Sequence, residues 1–133
     1  MSQVELIALP KIVDDRGNLT FLQKGVGCPF RPARIFWTFN VPGGSVRGGH
    51  AYKTQEELIV AINGAFDVVL VDEKGAETRY RLDRGDRGLY VPPMHWRRME
   101  AFSTNGMGLH LMSDKFDATD YVRDLGSLMR NMI

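Results

Sequence analysis

Short apolar segments separated by turn residues run through most of the sequence, which is the pattern of an all-β fold. Ala65–Asp72 is apolar on both faces, as expected for a strand buried on both sides. In Glu77–Leu82 uncharged residues alternate with charged ones, which predicts a half-buried strand. Arg34–Phe39 is rich in aromatic and β-branched residues and predicts a central strand. The other predicted strands are Val4–Ala8, Leu19–Gln23, Glu57–Asn63, Gly88–Val91, Trp96–Phe102 and Gly108–Ser113.

The C-terminal segment changes to a helical period. Apolar residues recur there at the spacing of one amphipathic helix, at Tyr121, Val122, Leu125, Leu128, Met129 and Met132. Asp117 or Thr119 can serve as the N-cap, and Gly126 is a position at which the helix could be interrupted. The pattern therefore predicts a short C-terminal helix whose apolar side packs on the rest of the fold.

Length, charge and cysteine content narrow the functional classes. With 133 residues, 44% of them hydrophobic and 25% charged, the chain is expected to form one domain over residues 1–133. Its 17 basic and 16 acidic residues give a net charge of +1, which argues against nucleic-acid binding driven by charge. No apolar run approaches the roughly 20 residues that span a membrane, and no signal-peptide pattern is present. The single cysteine, Cys28, fits a protein of the reducing cytoplasm.

The segment from Arg47 to Gly64 carries the densest set of candidate functional residues. Two glycines precede His50, and they let the backbone approach a ligand closely because they have no Cβ atom. The strand predicted to follow would hold His50, Tyr52 and Glu57 on a rigid frame. We therefore expect any chemistry of this protein to be located here.

The spacing within this segment resembles the first motif of the cupins. That motif is a glycine, five residues, His-x-His, three or four residues, a glutamate, six residues and a glycine. The chain has Gly44, His50, Tyr52, Glu57 and Gly64 at the corresponding positions. Every position matches except the second histidine, which is replaced by Tyr52.

The second cupin motif, Gly-Asp followed by a proline and a histidine, is matched less completely. The chain has Gly85-Asp86 and Pro92, and Arg97 occupies the position of the histidine. His95 lies two residues earlier, so on a strand it would face the same way as Arg97. The two motifs and the strand pattern together imply a cupin jelly roll, or double-stranded β-helix, with a short C-terminal helix.

The same motifs argue against a metal site. In the metal-binding cupins that these motifs resemble, three histidines and one carboxylate hold the metal. In this chain only His50 and Glu57 remain of such a set. Tyrosine is an unusual ligand, arginine cannot coordinate a metal, and the guanidinium of Arg97 would repel a divalent cation. We therefore expect no metal and no other cofactor.

A closer resemblance extends over nearly the whole chain. Its most diagnostic segments are Trp96–Met99 and the Asp-x-Thr-Asp-Tyr tail, and the other matching segments are Asp15–Leu19, Pro29-Phe30, Arg34–Phe36, Arg47–Ala51, Ile62–Gly64, Gly88–Pro92 and Asp117–Arg123. In these segments the chain is similar to the sugar 3,4-ketoisomerases that act on dTDP-4-keto-6-deoxyglucose, the WxcM-like cupin group.

This resemblance implies a metal-independent proton transfer on a dTDP-linked 4-keto-6-deoxyhexose. A base removes the C3 proton, which the 4-keto group acidifies, and an enediolate forms. A proton then returns at C4 and leaves a 3-keto sugar. His50 falls on the family's active-site histidine and would be the base. Arg47 would stabilise the enediolate or a phosphate group, and Tyr52 is the candidate acid.

Six further residues are expected to contribute to substrate binding: Arg16, Phe36, Glu57, Tyr90, His95 and Arg97. Of these, Tyr90, Arg16 and Arg97 fall on positions that resemble the substrate pocket of the family. The family positions of Arg16 and Arg97 help to select the C4 epimer that forms.

Two departures from the family concern proton transfer. The family usually has a second histidine where Tyr52 stands and a tyrosine where Phe36 stands. Phe36 cannot exchange a proton, and the ordinary pKa of tyrosine, about 10, makes Tyr52 a poor base at neutral pH. If the reaction needs two separate proton carriers, Tyr52 must be the acid partner, or water must substitute.

Three functions are therefore consistent with the sequence. The first is a 3,4-ketoisomerase that supplies a 3-keto sugar for amination in lipopolysaccharide (O-antigen), glycan or antibiotic pathways. The second is a related nucleotide-sugar epimerase or isomerase, and the third is a non-catalytic cupin that binds a nucleotide sugar. The resemblance also implies a homodimer with exchanged N-terminal strands, and short strands near the N-terminus could pair with another chain.

Overall fold

Two five-stranded antiparallel sheets pack face to face around the main apolar core. The computed structural model describes residues 3–131. Its strands are β1 (Glu5–Ala8), β2 (Lys11–Asp14), β3 (Gly17–Thr20), β4 (Gln23–Lys24), β5 (Gly27–Cys28), β6 (Arg34–Thr38), β7 (Arg47–Tyr52), β8 (Glu57–Asn63), β9 (Phe66–Val71), β10 (Glu77–Leu82), β11 (Arg87–Val91), β12 (Trp96–Glu100), β13 (Met107–Met112) and β14 (Tyr121–Val122). A 3₁₀ helix (Ala118–Asp120) precedes β14, and helix α1 (Leu125–Asn131) follows it. The first sheet has the order β1-β11-β8-β13-β6 and the second β10-β9-β12-β7-β14.

Alternation of side chains along the strands builds the core between the sheets. Phe66 and Leu70 of β9 belong to one buried cluster with Ile59 and Leu89 of the first sheet. Val71, on the other face of β9, is buried in a separate cluster. Strand β9 is thus buried on both faces, as its sequence predicted.

The N-terminal part of the chain covers the outer face of the first sheet. Leu9, Cys28 and Phe30 form a buried cluster there with Leu58 and Tyr90. Strands β2 and β3 form a hairpin outside both five-stranded sheets, and β4 and β5 form a short parallel pair. The described chain is therefore a two-sheet sandwich with an N-terminal cover.

The predicted all-β jelly roll with a short C-terminal helix is confirmed, and nearly all of the predicted strands lie within two residues of their predicted ends. Leu19–Gln23 is the exception, because β3 ends at Thr20 and β4 begins at Gln23. Strand β7, which carries His50 and Tyr52, and the short strands β2, β5 and β14 were not predicted. The turn before β3 is fixed by Asp14, whose carboxylate accepts the Arg16 N–H at 2.7 Å.

Strand β6 is an edge strand, so the prediction of a central strand is wrong. Within residues 3–131 it pairs with β13 on one side and with no strand on the other. Ile35, Trp37 and Phe39 are 53%, 56% and 54% exposed. Aromatic and β-branched composition indicates a strand, but the place of that strand in a sheet depends on its partners.

Tyr121 and Val122 form strand β14 against β7, so their predicted place in the C-terminal helix is wrong. The buried carboxylate of Asp120 fixes this arrangement. It accepts hydrogen bonds from the N–H and hydroxyl groups of Thr54 at 3.0 and 2.8 Å, and from the Gln55 N–H at 3.1 Å. Apolar spacing alone contained no information about these polar contacts.

Helix α1 is shorter than predicted. It covers Leu125–Asn131 and passes through Gly126 without a break. The predicted N-cap, Asp117, caps the 3₁₀ helix instead, where it accepts the Thr119 N–H at 2.9 Å. Met132, also assigned to the helix, lies outside the described residues. No helix in the described part of the chain is long and apolar enough to cross a membrane.

Replacement of Asp120 by alanine is expected to lower the free energy of unfolding by about 2–4 kcal/mol, because three donors on Thr54 and Gln55 lose their buried acceptor. Urea unfolding followed by circular dichroism measures this loss. The matched control is Asp114→Ala, because the exposed carboxylate of Asp114 accepts the N–H of its neighbour Lys115. The control should change the stability by less than about 0.5 kcal/mol. Equal losses in the two variants would contradict the role given to Asp120.

Candidate active site

A pocket of about 250 Å³ lies between the two sheets, with strand β7 on one side. His50 and Tyr52 are two residues apart on β7, so both side chains point to the same side of the strand. Their ring centroids are 4.8 Å apart. We call these two residues the β7 wall. The facing wall belongs to the first sheet and consists of Phe36, Thr38 and Glu57; we call it the Phe36 wall. The remaining lining residues are Arg47, Gly48, Met99, Tyr121 and Arg123.

Gly48 is favoured at the start of the β7 wall by its backbone conformation. Its φ angle is +70°, which side chains with a Cβ rarely adopt. A Cβ at this position would collide with Met99 Cε and would lie 3.6 Å from His50 Cε1. At the neighbouring Gly49 the nearest atom to a Cβ would be Trp96 Cζ2, at an ordinary 3.7 Å. Gly48 therefore allows this backbone turn and lets the end of the Met99 side chain lie against the strand.

His50 is held in the neutral form. Burial and, next, the positive charge of Arg97 lower the pKa of His50 from 6.5 to about 4. Its Nε2 atom is buried and has no hydrogen-bond partner within residues 3–131. In the tautomer that carries hydrogen on Nδ1, this Nε2 atom can accept a proton at neutral pH from a molecule in the pocket.

Tyr52 is fully buried beside His50 and keeps its hydroxyl proton. Burial, together with the negative charge of Glu57, raises the pKa of Tyr52 far above its usual value. Its hydroxyl donates to the Tyr121 hydroxyl oxygen at 3.4 Å, and the guanidinium carbon of Arg97 lies 5.1 Å from its ring centroid. Tyr52 can therefore donate a hydrogen bond but is poorly suited to lose a proton.

The Glu57 carboxylate joins the two sheets through Arg97 and His110. Its Oε1 accepts a hydrogen bond from Arg97 of β12 in the second sheet. Its Oε2 lies 2.7 Å from His110 Nδ1 of β13 in the first sheet. Burial by itself raises the pKa of Glu57, but the Arg97 charge and the hydrogen bond from His110 outweigh burial and lower it to about 2. Glu57 is therefore ionised at neutral pH, with both of its oxygens engaged.

His110 was not predicted as a site residue. It is fully buried, and its ring is stacked on Phe36 with the centroids 4.4 Å apart and the planes 5° apart. Phe36 lines the pocket, whereas His110 is not among the lining residues. The sequence held one signal, a histidine within an apolar strand, because a buried imidazole requires a polar partner. Its partner Glu57 became apparent once β13 was seen to pair with β8.

Five of the predicted site residues line the pocket: Phe36, Arg47, His50, Tyr52 and Glu57. Arg97 lies behind them, fully buried, and does not line the pocket because its charge is engaged by Glu57. Its Nε donates to the backbone oxygen of His95 at 3.0 Å. The structure thus places Arg97 in support of Glu57 and Tyr52.

Tyr90 and His95 do not line the pocket. Tyr90 follows the core-facing Leu89, so it points to the outer face of the first sheet, where its hydroxyl donates to Glu56 at 2.5 Å. His95 Nδ1 lies 2.9 Å from the backbone oxygen of Pro93. A single chain therefore does not bring these two predicted binding residues to the pocket.

Arg16 is also remote from the pocket of its own chain. It lies in the turn of the β2–β3 hairpin and forms an exposed ion pair with Asp14 at 2.9 Å. Because this hairpin belongs to neither of the two large sheets, nothing within the described chain directs Arg16 toward His50.

Apart from Gly48, four lining residues were missed in the sequence: Thr38, Met99, Tyr121 and Arg123. The pairing of β14 with β7 places the Tyr121 ring 5.1 Å from the His50 ring. The guanidinium carbon of Arg123 lies 4.3 Å from the Tyr121 ring centroid. The tail segment that carried the family resemblance contains Tyr121 and Arg123. The helix predicted from Tyr121 onward gave no reason to place either residue beside His50.

The mouth of the pocket is positive, because Arg47 and Arg123 are both exposed there. In the part of the chain that the structure describes, no three His, Cys, Asp or Glu side chains are placed so that they could hold a metal ion. The expectation that the protein works without a metal or other cofactor stays a prediction.

The chain is similar to sugar-nucleotide isomerases. The family model described as FdtA: WxcM-like, C-terminal, matches residues 2–132. The TDP-4-oxo-6-deoxy-α-D-glucose-3,4-oxoisomerase of Aneurinibacillus thermoaerophilus is 36% identical over 119 residues, which are 90% of this chain and 85% of that protein.

The chain is also similar to solved structures of sugar 3,4-ketoisomerases. The WlaRB TDP-quinovose 3,4-ketoisomerase from Campylobacter jejuni is 33% identical, with a TM-score of 0.91 over 98% of this chain and 100% of that one. A His-to-Asn variant of the 3,4-ketoisomerase QdtA from Thermoanaerobacterium thermosaccharolyticum, in complex with TDP-4-keto-6-deoxyglucose, is 28% identical. Its TM-score is 0.92 over 96% of this chain and 92% of that one.

The imidazole of His50 is expected to stay neutral as the pH falls from about 8 to 5 and to become protonated near pH 4. Because the unfolded chain binds this proton first, near pH 6.5, the contribution of His50 to stability is lost as the pH falls from about 6.5 to 4. Heteronuclear NMR of the histidine rings measures the titration, and the His50→Asn variant identifies the signal that belongs to His50. Titration of that signal near pH 6.5 would show that the pocket does not desolvate the ring.

Proposed function

The chain belongs to the FdtA: WxcM-like, C-terminal family, and we propose that it is a 3,4-ketoisomerase of a dTDP-linked 4-keto-6-deoxyhexose. The observation that carries this proposal is the buried and unpartnered Nε2 atom of His50, in a pocket that also contains Tyr52 and Arg47. The relatives named above act on TDP-linked sugars and support the same substrate class.

The proposed reaction moves two hydrogens. His50 Nε2 takes the proton from C3, and the electrons of the C3–H bond form the C3=C4 bond while O4 takes the negative charge. The proton on O3 passes to O4 as C3 becomes the carbonyl carbon. The proton held by His50 then returns to C4. The sugar is neither oxidised nor reduced overall, and His50 ends in the neutral form in which it began.

Charge at the pocket favours the intermediate. Arg47 and Arg123 place two guanidinium groups beside the pocket, where they can stabilise the developing enediolate or the diphosphate by charge-assisted hydrogen bonds. The hydroxyl of Tyr52 keeps its proton, so we assign it the role of a hydrogen-bond donor to a sugar oxygen. This replaces the expectation that Tyr52 itself exchanges the proton.

The size of the pocket indicates which part of the substrate it can hold. A volume of about 250 Å³ is small for a ligand site, since such sites usually measure about 300–1,000 Å³. We therefore place the hexose in the pocket and the diphosphate at the exposed Arg47 and Arg123. The nucleoside would lie outside the pocket.

Incubation with dTDP-4-keto-6-deoxyglucose in D2O, followed by proton NMR, is expected to give a 3-keto sugar that carries deuterium at C4. The His50→Asn variant should lower kcat by about 10²–10⁴-fold, because a positioned general base contributes about that factor. Binding of dTDP by the variant, measured by calorimetry, should stay within about threefold of the unmodified protein, because His50 faces the sugar.

Two outcomes would contradict the proposed function. Deuterium at C3 or C5 with the keto group still at C4 would indicate an epimerase. Tight dTDP binding with no exchange of any sugar hydrogen would indicate a protein that only binds nucleotide sugars.

We also propose that the protein is a homodimer. Ile35 and Trp37 on the edge strand β6 expose an apolar surface that no other part of the described chain covers. The β2–β3 hairpin exposes Ile12, Val13 and Leu19 at 56%, 65% and 55%. Contiguous exposed apolar surfaces of this kind mark interaction sites, and an unpaired edge strand can accept another chain.

In this proposed dimer the exposed β2–β3 hairpin of one copy packs on the β6 edge of the other. Arg16 lies at the tip of that hairpin, so a dimer of this kind would carry it to the second copy. Since Phe36 and Thr38 of β6 line the pocket, Arg16 of a partner seated on β6 would lie near that pocket. This would account for a substrate-binding residue that is remote from the pocket of its own chain.

Light scattering after size exclusion is expected to give about twice the chain mass of 15.0 kDa. Trp37→Glu should shift the protein toward the monomer, because it places a charge on the proposed interface. Ile62→Glu is the matched control, because Ile62 is 44% exposed on the first sheet and lies on β8, away from the β6 edge. A monomeric mass for the unmodified protein would exclude the dimer.

A cytoplasmic location is part of the proposal. It is supported by the unpaired and buried Cys28, which is compatible with a reducing compartment, and by the nucleotide-linked substrate class.

A further inference from the structure

His110 is a buried imidazole next to the pocket that the proposed reaction does not use. It lies on β13 directly opposite Phe36 of β6, so the two side chains share one face of the first sheet. On its other side β13 pairs with β8, where His110 is opposite Ile59. Glu57 is two residues before Ile59 on β8, so its side chain lies on the same face as His110. The register of three strands therefore brings His110, Phe36 and Glu57 together.

Glu57 is the polar partner of the His110 ring. Nδ1 of His110 lies 2.7 Å from Glu57 Oε2. Because an ionised carboxylate can only accept, Nδ1 carries the hydrogen of this bond. The Nε2 atom is buried and has no hydrogen-bond partner within residues 3–131. The ring of His110 is therefore bonded, through Nδ1, to a residue that lines the pocket.

The hydrogen bond from His110 fixes the orientation in which Glu57 receives Arg97. One carboxylate oxygen accepts from His110 and the other from Arg97, so the carboxylate is not free to rotate. The guanidinium carbon of Arg97 lies 5.1 Å from the ring centroid of Tyr52. The ring centroids of Tyr52 and His50 are 4.8 Å apart. A short series of contacts thus connects His110 to the proposed base.

The ring of His110 makes a second contact, with Phe36. The two ring centroids are 4.4 Å apart and the planes are 5° apart. Phe36 lines the pocket, whereas His110 does not. The position of the Phe36 ring, and with it one side of the pocket, is therefore set in part by His110.

We propose that His110 is a positioning residue of this site. Its Nδ1–H group holds the Glu57 carboxylate in place for Arg97, and its ring holds Phe36 in place on the wall opposite His50. This inference rests on the proposed 3,4-ketoisomerase function and adds a residue that supports it from outside the pocket. His110 does not touch the substrate and acts through the residues that line the pocket.

Three substitutions separate the hydrogen bond of His110 from its ring. His110→Asn removes the ring and keeps an N–H donor two bonds from Cβ, which is the position of Nδ1 in histidine. His110→Gln carries the same amide one bond further from the backbone, near the place of Nε2, so its donor is displaced. His110→Phe keeps an aromatic ring beside Phe36 and removes the donor. The Asn and Gln variants alone decide the test where His110→Phe does not fold.

The kinetic test follows conversion of dTDP-4-keto-6-deoxyglucose to the 3-keto sugar by proton NMR. His110→Phe and His110→Gln should lower kcat by about tenfold or more, because a hydrogen bond to a charged group that must stay aligned is lost. His110→Asn should retain kcat within about threefold of the unmodified protein and raise KM, because it restores the donor and leaves Phe36 without its stacked ring. Thermal unfolding of the three variants shows whether kcat merely follows stability.

The hydrogen bond is also observable without substrate. A histidine Nδ1 proton that is bonded to a buried carboxylate appears at strongly low field in proton NMR and exchanges slowly with water. We expect such a signal from the unmodified protein, and its loss in His110→Phe or His110→Gln assigns it to His110.

Two results would overturn the positioning role and leave the 3,4-ketoisomerase function intact. The first is an equal kcat in the Asn and Gln variants, which would show that the place of the donor has no effect on turnover. The second is the absence of the low-field proton from the unmodified protein. A failure of the unmodified protein to form any 3-keto sugar would overturn both the proposed function and this inference.

Discussion

The buried carboxylate of Glu57 is the constraint on which the rest of the site depends. It receives a charged hydrogen bond from Arg97 of one sheet and a hydrogen bond from His110 of the other, so it ties the two walls of the pocket together. Removal of one member of such a buried pair leaves an uncompensated charge, which typically costs about 3–5 kcal/mol. The position of both walls is therefore coupled to a single ionised group.

Burial and this ion pair together set the chemistry of the neighbouring residues. Burial and, next, the positive charge of Arg97 keep His50 neutral. Burial and, next, the negative charge of Glu57 keep the hydroxyl of Tyr52 protonated. The pocket thus has one proton acceptor and one hydrogen-bond donor side by side on the same strand. The opposite wall has an aromatic ring and an engaged carboxylate.

The sequence predicted most strands well because alternation and turn residues are local properties. It also located His50, Tyr52, Arg47 and Glu57, because the motif keeps them within one strand and the start of the next. The features it missed depend on pairing between distant segments. Residue Tyr121 fits a helical period, but hydrogen bonds of Asp120 hold it in a strand beside β7.

The positions of other site residues could not be derived from local patterns either. His110 meets Glu57 through the pairing of β13 with β8, which links residues 53 positions apart. The resemblance placed Arg97 in the substrate pocket, but the guanidinium of Arg97 is buried and paired with the Glu57 carboxylate. Tyr90 lies on the outer face because it alternates with core residues on β11. Burial and charge pairing decided these positions, and both are properties of the assembled sheets.

The central claim is that His50 faces C3 of the sugar, between the β7 wall and Phe36. The most direct measurement is a crystal structure of the His50→Asn variant with dTDP-4-keto-6-deoxyglucose, in which the missing base should preserve the substrate. We expect the sugar ring between residue 50 and Phe36, with C3 nearest to residue 50 and the diphosphate at Arg47 and Arg123. A sugar ring outside this pocket, or a C3 hydrogen directed at Phe36, would contradict the account.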